Sequence, residues 1–226
     1  ENLKQTDKVI LTARCKIFAV NFINSLNFRI KLLIILLSPV MLVLAIWIKC
    51  DSKGPVFFTQ ERLGRGAKPF KIIKFRTMFT DAEANGPQLS SANDKRITPF
   101  GAFMRRYRLD ELPQFINVIK GDMSLVGPRP ERPELCEEYE RQFPEFRFRL
   151  HVKAGLTGYA QVTGVYDTTP YDKLKMDMMY IENYSLRLDL QIILMTIKTM
   201  LFPPKSNAND SSGILTENQT KSSDSK

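Results

Sequence analysis

Two adjacent carboxylates, Asp110 and Glu111, stand between a cluster of arginines and a predicted helix. Pro113 suits the first turn of that helix, because its missing N–H would be unpaired there anyway. Apolar residues then recur at helical spacing, and Gly121 is placed to end the helix. The free N–H groups and the dipole at a helix start favour negative charge. We therefore expect Asp110 to be ionised, as a carboxylate nucleophile must be, and the same position also suits a phosphate.

The pair has a plainer interpretation as well. Acidic residues are common in the first turn of a helix, so Asp110 and Glu111 could serve only to cap it. They could also form ordinary salt bridges with the neighbouring Arg105, Arg106 and Arg108. The pattern alone leaves both interpretations open.

Other catalytic side chains are scarce in this sequence. His151 is the only histidine, so a metal site rich in histidine is excluded and a histidine-assisted nucleophile would depend on it alone. The three cysteines, Cys15, Cys50 and Cys136, are far apart and never in CxxC spacing. This argues against a disulfide framework and against a zinc site, and it fits a reducing compartment. By elimination the chemistry falls to carboxylates, with Mg²⁺ as the metal that oxygen ligands would hold.

A longer stretch of sequence carries a family resemblance. The run Leu109–Gln114, the pair Asn117-Val118 and the run Gly121–Pro130 closely resemble bacterial sugar transferases that are monotopic phosphoglycosyl transferases. These enzymes start glycan assembly by moving a sugar phosphate from a UDP-sugar to polyprenol (undecaprenyl) phosphate. The resemblance runs from about residue 29 to residue 202, and a match of this length is more specific than a short motif.

The resemblance implies a mechanism with a covalent intermediate. Asp110 would attack the sugar-bearing phosphorus of the UDP-sugar, expel UMP and form an aspartyl phosphosugar. Polyprenol phosphate would then attack this intermediate. Glu111 would act with Asp110 in catalysis by holding Mg²⁺, which offsets the developing charge.

The resemblance also implies a set of phosphate-binding or nucleotide-binding residues. They are Lys74, Arg76, Arg105, Pro128, Arg129 and Pro130. Two prolines fix the backbone around Arg129, which preorders its guanidinium for a bidentate grip on a diphosphate. A rigid surface turn is the alternative interpretation of that segment, and a solvated basic face is the alternative for Lys74 and Arg76.

The charge balance points to phosphorylated or lipid partners. The net charge is +9, and 43% of the residues are hydrophobic. A basic body can bind nucleic acid, anionic lipid or phosphorylated substrates. Because no nucleic-acid-binding module is recognisable, we expect membrane lipid and phosphate rather than nucleic acid.

One uncharged run can enter a membrane. Residues 32–48 contain no charge, and a straight helix of this length is about 25 Å long, the short limit for spanning a bilayer. Ser38-Pro39 lies in its middle, and positive charge flanks both ends, which gives no clear orientation for a crossing. An ordinary spanning helix with a tolerated proline remains an alternative. The resemblance implies a re-entrant helix broken at Ser38-Pro39, with both ends on the cytoplasmic face of the bacterial inner membrane.

The expected fold is mixed α/β, with a helix-rich catalytic domain that contains a short β-hairpin. Residues 1–28 are expected to form an amphipathic surface segment, or to be the stump of a longer protein. The re-entrant helix would cover 29–50 and the catalytic domain 51–204. Residues 205–226 form a tail that is predicted to be disordered, because it is almost without apolar residues. Polar residues 81–93 predict a loop, either a lid or a plain connector.

Three questions about function stay open at this point. The run Gly127–Glu134 and the long C-terminal helix look more like the family members that transfer glucose 1-phosphate or galactose 1-phosphate, and N-acetylated amino sugars stay open. The chain could form a homo-oligomer. It could also be a non-catalytic membrane-attached scaffold, or a direct glycosyltransferase that releases UDP rather than UMP.

Overall fold

The computed structural model describes residue 28 and residues 30–82, 94–164 and 168–202. The predicted amphipathic segment apart from its last residue, most of the predicted 81–93 loop, and the predicted tail 205–226 lie outside these residues.

The described residues form a helix-rich α/β structure, as the sequence predicts. The α-helices are α1 Ile30–Asp51, α2 Pro99–Arg106, α3 Phe115–Lys120, α4 Pro133–Gln142, α5 Tyr159–Thr163, α6 Pro170–Glu182 and α7 Leu186–Leu201. The strands are β1 Phe57–Leu63, β2 Pro69–Phe75, β3 Ser124–Val126 and β4 Gly155–Thr157. Short 3₁₀ helices cover Arg65–Ala67, Leu109–Gln114 and Pro144–His151.

The predicted hairpin is formed by β1 and β2. The two strands pair antiparallel, with Phe57 opposite Phe75 and Leu63 opposite Pro69. Gly66 in the connecting turn has φ of 70°, in the left-handed region that glycine adopts without strain. Pairing with β2 extends β1 from the apolar Phe57 through polar residues to Leu63.

A second sheet, of two parallel strands, is not predicted by the sequence. It pairs Ser124 of β3 with Gly155 of β4, and Val126 with Thr157. The main chains approach so closely that a Cβ atom on Gly155 would lie 2.2 Å from the Gly127 nitrogen. Glycine at this position therefore lets the segment after β3 pack against the start of β4.

Helix α1 packs against the rest of the protein at both of its ends. Near its start, Ile30 joins a buried cluster with Ile72 of β2. Near its end, Leu44 joins a second cluster with Phe75 of the same strand. In a straight helix Ile30 and Leu44 would be about 21 Å apart, whereas Ile72 and Phe75 are about 10 Å apart in a strand. Both halves of α1 thus contribute a residue to a buried cluster that contains a residue of β2.

The backbone of α1 stays helical at the predicted break. Ser38 and Pro39 are both assigned to the helix, and the Ser38 hydroxyl donates a hydrogen bond to the Ile35 carbonyl at 2.7 Å. Hydroxyl bonds of this kind are associated with bent helices. By length and composition α1 could cross a membrane, and only 11% of its most apolar window is buried against the protein.

A buried asparagine fastens α3 to β2. Asn117 is 1% exposed; its Oδ1 accepts from the Ile73 amide at 3.0 Å, and its Nδ2 donates to the Lys71 carbonyl at 2.8 Å. These contacts satisfy backbone groups that β1 does not pair. They hold the turn before α3 next to Lys74.

Replacing Asn117 should destabilise the fold. In Asn117→Ala the Ile73 N–H and the Lys71 C=O lose their partner, and we expect a loss of about 2–3 kcal/mol in unfolding free energy. Urea unfolding of the full chain in detergent measures this loss. The control is Asn183→Ala, because Asn183 makes an exposed bond to the Met179 carbonyl and its loss should cost under about 0.5 kcal/mol. Equal losses in the two variants would contradict the role given to Asn117.

Candidate active site

The two carboxylates lie on a tight turn rather than at an α-helix start. Asp110 and Glu111 belong to the 3₁₀ helix Leu109–Gln114, and the predicted helix begins only at Phe115. It ends at Gly121 as predicted, with Gly121 in the left-handed conformation at φ 86°. Before the turn, Arg108 also has a positive φ of 53°, which reverses the chain after α2.

Glu111 is held between two cations from separate parts of the chain. The Lys74 Nζ atom lies 3.1 Å from Glu111 Oε1, and the Arg129 Nη2 atom lies 3.1 Å from the same oxygen. Lys74 comes from β2, and Arg129 comes from the loop after β3. Burial opposes ionisation of Glu111, but the charges of Arg129, Lys74 and Arg108 outweigh it and lower its pKa. Glu111 is therefore a fixed anion.

Asp110 has the opposite electrostatic setting. Asp110 is 8% exposed. Burial and the charge of Glu111 raise its pKa to about 6, although the charges of Lys74, Arg105 and Arg129 act in the opposite direction. The expectation that a helix start favours ionisation of Asp110 is thus wrong in sign. Burial and a like charge dominate here, and neither is visible in a local pattern. A carboxyl with this pKa is still mostly ionised at pH 7.

Two arginines flank Asp110 from the end of α2. Arg105 donates from Nε to the Thr77 hydroxyl at 2.8 Å, and its charge acts on Asp110. Arg108 donates from Nη2 to the Gln161 carbonyl at 3.1 Å, and its charge acts on Glu111. Sequence reasoning selected Arg105 and not Arg108. Both belong to the same basic run, but Arg105 lies in α2 whereas Arg108 follows the helix and has a positive φ.

Arg76 occupies a different place from the other predicted binding residues. It is 6% exposed and donates to the Ser52 carbonyl at 2.9 Å and to the Pro55 carbonyl at 2.6 Å. These contacts tie the segment after α1 to the end of β2. Strand alternation would put Arg76 on the face of Lys74, but β2 ends at Phe75, so the alternation no longer applies. Its contacts give Arg76 a structural role and do not support the predicted substrate contact.

The prolines beside Arg129 border a small cavity. Pro128 and Pro130 line it together with Cys136 and Arg149, behind the Arg129 loop. Its volume is about 10 Å³, which is room for about one water molecule. A nucleotide does not fit in this cavity.

The oxygen ligands suit Mg²⁺ only in combination with a substrate. Within the described residues no group of three or more acidic, histidine or cysteine side chains could hold a metal ion. Both cations that hold Glu111 contact Oε1, and neither of these contacts uses Oε2. Mg²⁺ commonly binds one or two carboxylates plus substrate phosphates. Glu111 Oε2 could supply one such carboxylate oxygen when a diphosphate supplies further oxygens.

Comparison with known proteins places the chain in a family. The family described as Bacterial sugar transferase matches residues 22–203, most of the chain, and the protein belongs to this family. A UDP-N-acetylgalactosamine-undecaprenyl-phosphate N-acetylgalactosaminephosphotransferase from Aeromonas hydrophila is 45% identical over 169 residues. A UDP-glucose:undecaprenyl-phosphate glucose-1-phosphate transferase from Caulobacter vibrioides is 41% identical over 177 residues, and one from Xanthomonas campestris pv. campestris is 43% identical over 171.

These relatives are longer than the chain. The matches cover 73–75% of this chain, but only 35% of the Xanthomonas protein, 40% of the Aeromonas protein and 66% of the Caulobacter protein. The names of the relatives include an N-acetylated amino sugar as well as glucose, so they do not decide between the sugars that the sequence left open.

The two carboxylates should affect stability in opposite directions. A folded pKa of about 6 for Asp110 means that its ionisation costs stability as pH rises from about 4 to 6. At pH 7 we expect Asp110→Asn to be more stable by about 2–3 kcal/mol, a gain that disappears near pH 4. The lowered pKa of Glu111 means that its charge stabilises the fold fully above about pH 4.5 and that this stabilisation is lost only as pH falls toward the lowered pKa. Glu111→Gln should therefore lose about 2–4 kcal/mol at pH 7.

Thermal unfolding of both variants at pH 4 and pH 7 measures this difference. If the melting temperatures of both variants change in the same direction at pH 7, the raised pKa of Asp110 beside the lowered pKa of Glu111 is refuted.

Proposed function

We propose that the protein transfers a sugar 1-phosphate from a UDP-sugar to undecaprenyl phosphate through a covalent aspartyl phosphosugar, and releases UMP. The observation that carries the proposal is the buried Asp110 beside a Glu111 that Lys74 and Arg129 hold in place. A nucleophile must be reactive and still ionised, and a carboxylate whose pKa is about 6 meets both needs near neutral pH. The names of the relatives describe transfer of the same kind.

The first step forms the covalent intermediate. An oxygen of Asp110 attacks the sugar-bearing phosphorus, the bond from that phosphorus to the bridging oxygen breaks, and UMP leaves with the electron pair. Lys74, Arg105 and Arg129 neutralise charge on the phosphate oxygens and orient the phosphorus toward Asp110. Because substrate phosphates bring strong negative charge, they can draw Lys74 and Arg129 partly away from Glu111.

The second step returns the enzyme to its starting state. A phosphate oxygen of undecaprenyl phosphate attacks the same phosphorus, and the Asp110 carboxylate leaves. The product is an undecaprenyl diphosphate sugar, which starts assembly of an exopolysaccharide, capsule, O-antigen or glycoprotein glycan. Mg²⁺, held by Glu111 and the diphosphate, would supply further neutralisation of phosphate charge.

The proposal includes a re-entrant α1 in the bacterial inner membrane, with the catalytic part on the cytoplasmic face. Both halves of α1 contribute to buried clusters that contain residues of β2, which supports two ends on one side of the bilayer rather than a crossing. Leu109 and Leu112, which flank the carboxylates, pack against the same cluster as the second half of α1. This contact would set Asp110 at the height of the lipid phosphate.

The rivals make different predictions about products. A direct glycosyltransferase would release UDP, and a non-catalytic scaffold would release no nucleotide. A panel of UDP-glucose, UDP-galactose and their N-acetylated amino-sugar counterparts, each with Mg²⁺ and undecaprenyl phosphate, separates these cases and identifies the sugar. Release of UDP, or of nothing from every donor, would overturn the proposal.

Asp110→Asn should abolish turnover. Because an amide cannot form the phosphosugar ester, we expect UMP release to fall by about 1,000-fold or more, with or without the lipid acceptor. Wild-type protein incubated with donor alone should gain the mass of one sugar phosphate at Asp110, measured by mass spectrometry of the peptide. The control Asp172→Asn removes an exposed carboxylate on α6 and should keep both signals. A variant at Asp110 that still turns over would exclude it as the nucleophile.

Glu111→Gln should act on the metal dependence. The amide is a weaker Mg²⁺ ligand and no longer holds Lys74 and Arg129 as an anion, so the Mg²⁺ concentration for half-maximal rate should rise about tenfold and the maximal rate should fall. Titration of Mg²⁺ at saturating donor measures both effects. An unchanged Mg²⁺ profile would remove Glu111 from the metal site.

A further inference from the structure

We propose that the buried Arg149–Asp177 ion pair is a positioning device for Arg129, and that it acts through the main chain of the Arg129 loop. Arg149 and Asp177 do not belong to the site described above. The functional part of this inference rests on the proposed function, because it requires Arg129 to contact the donor. The structural part does not.

The loop around Arg129 is held at four successive carbonyls. Each of these accepts a hydrogen bond, and the four donors come from three separate parts of the chain, since Arg62 and Leu63 are neighbours in β1. The donors are the Gly155 amide to Pro128 at 2.9 Å, Arg149 Nη2 to Arg129 at 2.9 Å, Arg62 Nη1 to Pro130 at 3.1 Å and the Leu63 amide to Glu131 at 3.0 Å. Backbone fixed in this way can place a long side chain within a fraction of an ångström.

Arg149 is the donor that reaches the Arg129 carbonyl itself. Its guanidinium also donates from Nε to Asp177 Oδ2 at 2.7 Å, and it lies over the Phe146 ring at 4.6 Å from the ring centre. The two charged side chains are 7% and 2% exposed. A planar guanidinium can donate in two fixed directions at once, which a lysine ammonium on its flexible stem does not reproduce.

The Arg149–Asp177 pair fixes the main chain of Arg129, the more exposed of the two cations that contact Glu111. The Arg129 side chain is 42% exposed, and its described contact with another side chain is the one with Glu111. Solvent does not fix this side chain. Its contact with Glu111 therefore depends on the position of the Arg129 main chain. Asp177 lies on α6, so Arg149 connects this helix to the main chain of Arg129.

A buried ion pair is weak evidence of stability in itself. Replacement of such pairs by apolar residues is often neutral, because desolvation offsets the attraction. We therefore do not assign the pair a role in overall stability. Its role follows from the bond of Arg149 to the Arg129 carbonyl, which fixes the main chain of the loop.

The first arm of the test needs no substrate. Amide hydrogen exchange is measured on the full chain in lipid nanodiscs for wild type, Arg149→Lys and Asp177→Asn. We expect exchange about tenfold faster at the Gly155 and Leu63 amides, which donate to the carbonyls of this loop. Met104→Ala is the control, because Met104 is 0% exposed and belongs to a different buried cluster, with Leu44 and Phe75. It should lower the melting temperature without this local increase. Unchanged exchange in both pair variants would overturn the proposal.

The second arm is a double-mutant cycle on donor kinetics. Arg149→Lys should raise the KM for the UDP-sugar about tenfold with a smaller change in kcat, because a displaced Arg129 binds phosphate poorly. In an Arg129→Ala background the same change should add less than about twofold, since the group it positions is gone. Independent, multiplicative effects would show that Arg149 does not act through Arg129.

The two arms separate the possible failures. If the wild type releases no UMP from any donor, the proposed function fails, and the exchange arm still decides whether the pair fixes the loop. If Arg129→Ala leaves the KM unchanged, the positioning proposal is overturned together with the binding role of Arg129.

Discussion

The contact of one anion with two cations organises this site. Glu111 accepts from Lys74 and Arg129 at 3.1 Å each, and so it joins the hairpin, the 3₁₀ turn and the loop after β3 at one point. The same contact separates the two neighbouring carboxylates electrostatically. The cations hold Glu111 ionised, and the fixed charge of Glu111 then adds to burial in raising the pKa of Asp110. Two chemically similar residues receive different roles from one arrangement of charge.

The apolar surfaces of the molecule suit a lipid environment beside this charged site. Helix α1 exposes most of its length, and α7 buries Ile192 while it exposes apolar residues such as Leu186, Leu190 and Leu194. An exposed apolar surface of this extent marks an interaction site with lipid or with another protein. Trp47 stacks on Phe100 with ring centres 4.5 Å apart, where α1 meets α2. The substrates of the proposed reaction need such a boundary, because one is soluble and the other is a lipid.

The sequence predicts the local features of the site and misses the long-range ones. The carboxylate pair, the hairpin and the end of α3 at Gly121 can be read from neighbouring residues. The sheet of β3 and β4 cannot, because each strand has three residues and too little pattern to recognise. The Arg149–Asp177 pair joins positions 28 residues apart, and no local pattern indicates such a contact. The pKa of Asp110 depends on burial, which only the folded chain determines.

The packing of α1 also determines what would follow from deleting this helix. Leu44 and Ile48 share a buried cluster with Phe75 and Met104, and the residues on either side of the carboxylates pack against that cluster. One side of α1 thus packs into the interior of the structure through Leu44 and Ile48, while most of the helix surface stays exposed. A soluble version made by deleting it would expose this interior and lose the support beneath Asp110. If α1 enters the bilayer as proposed, its attachment to the membrane and the shape of the candidate site depend on the same set of contacts.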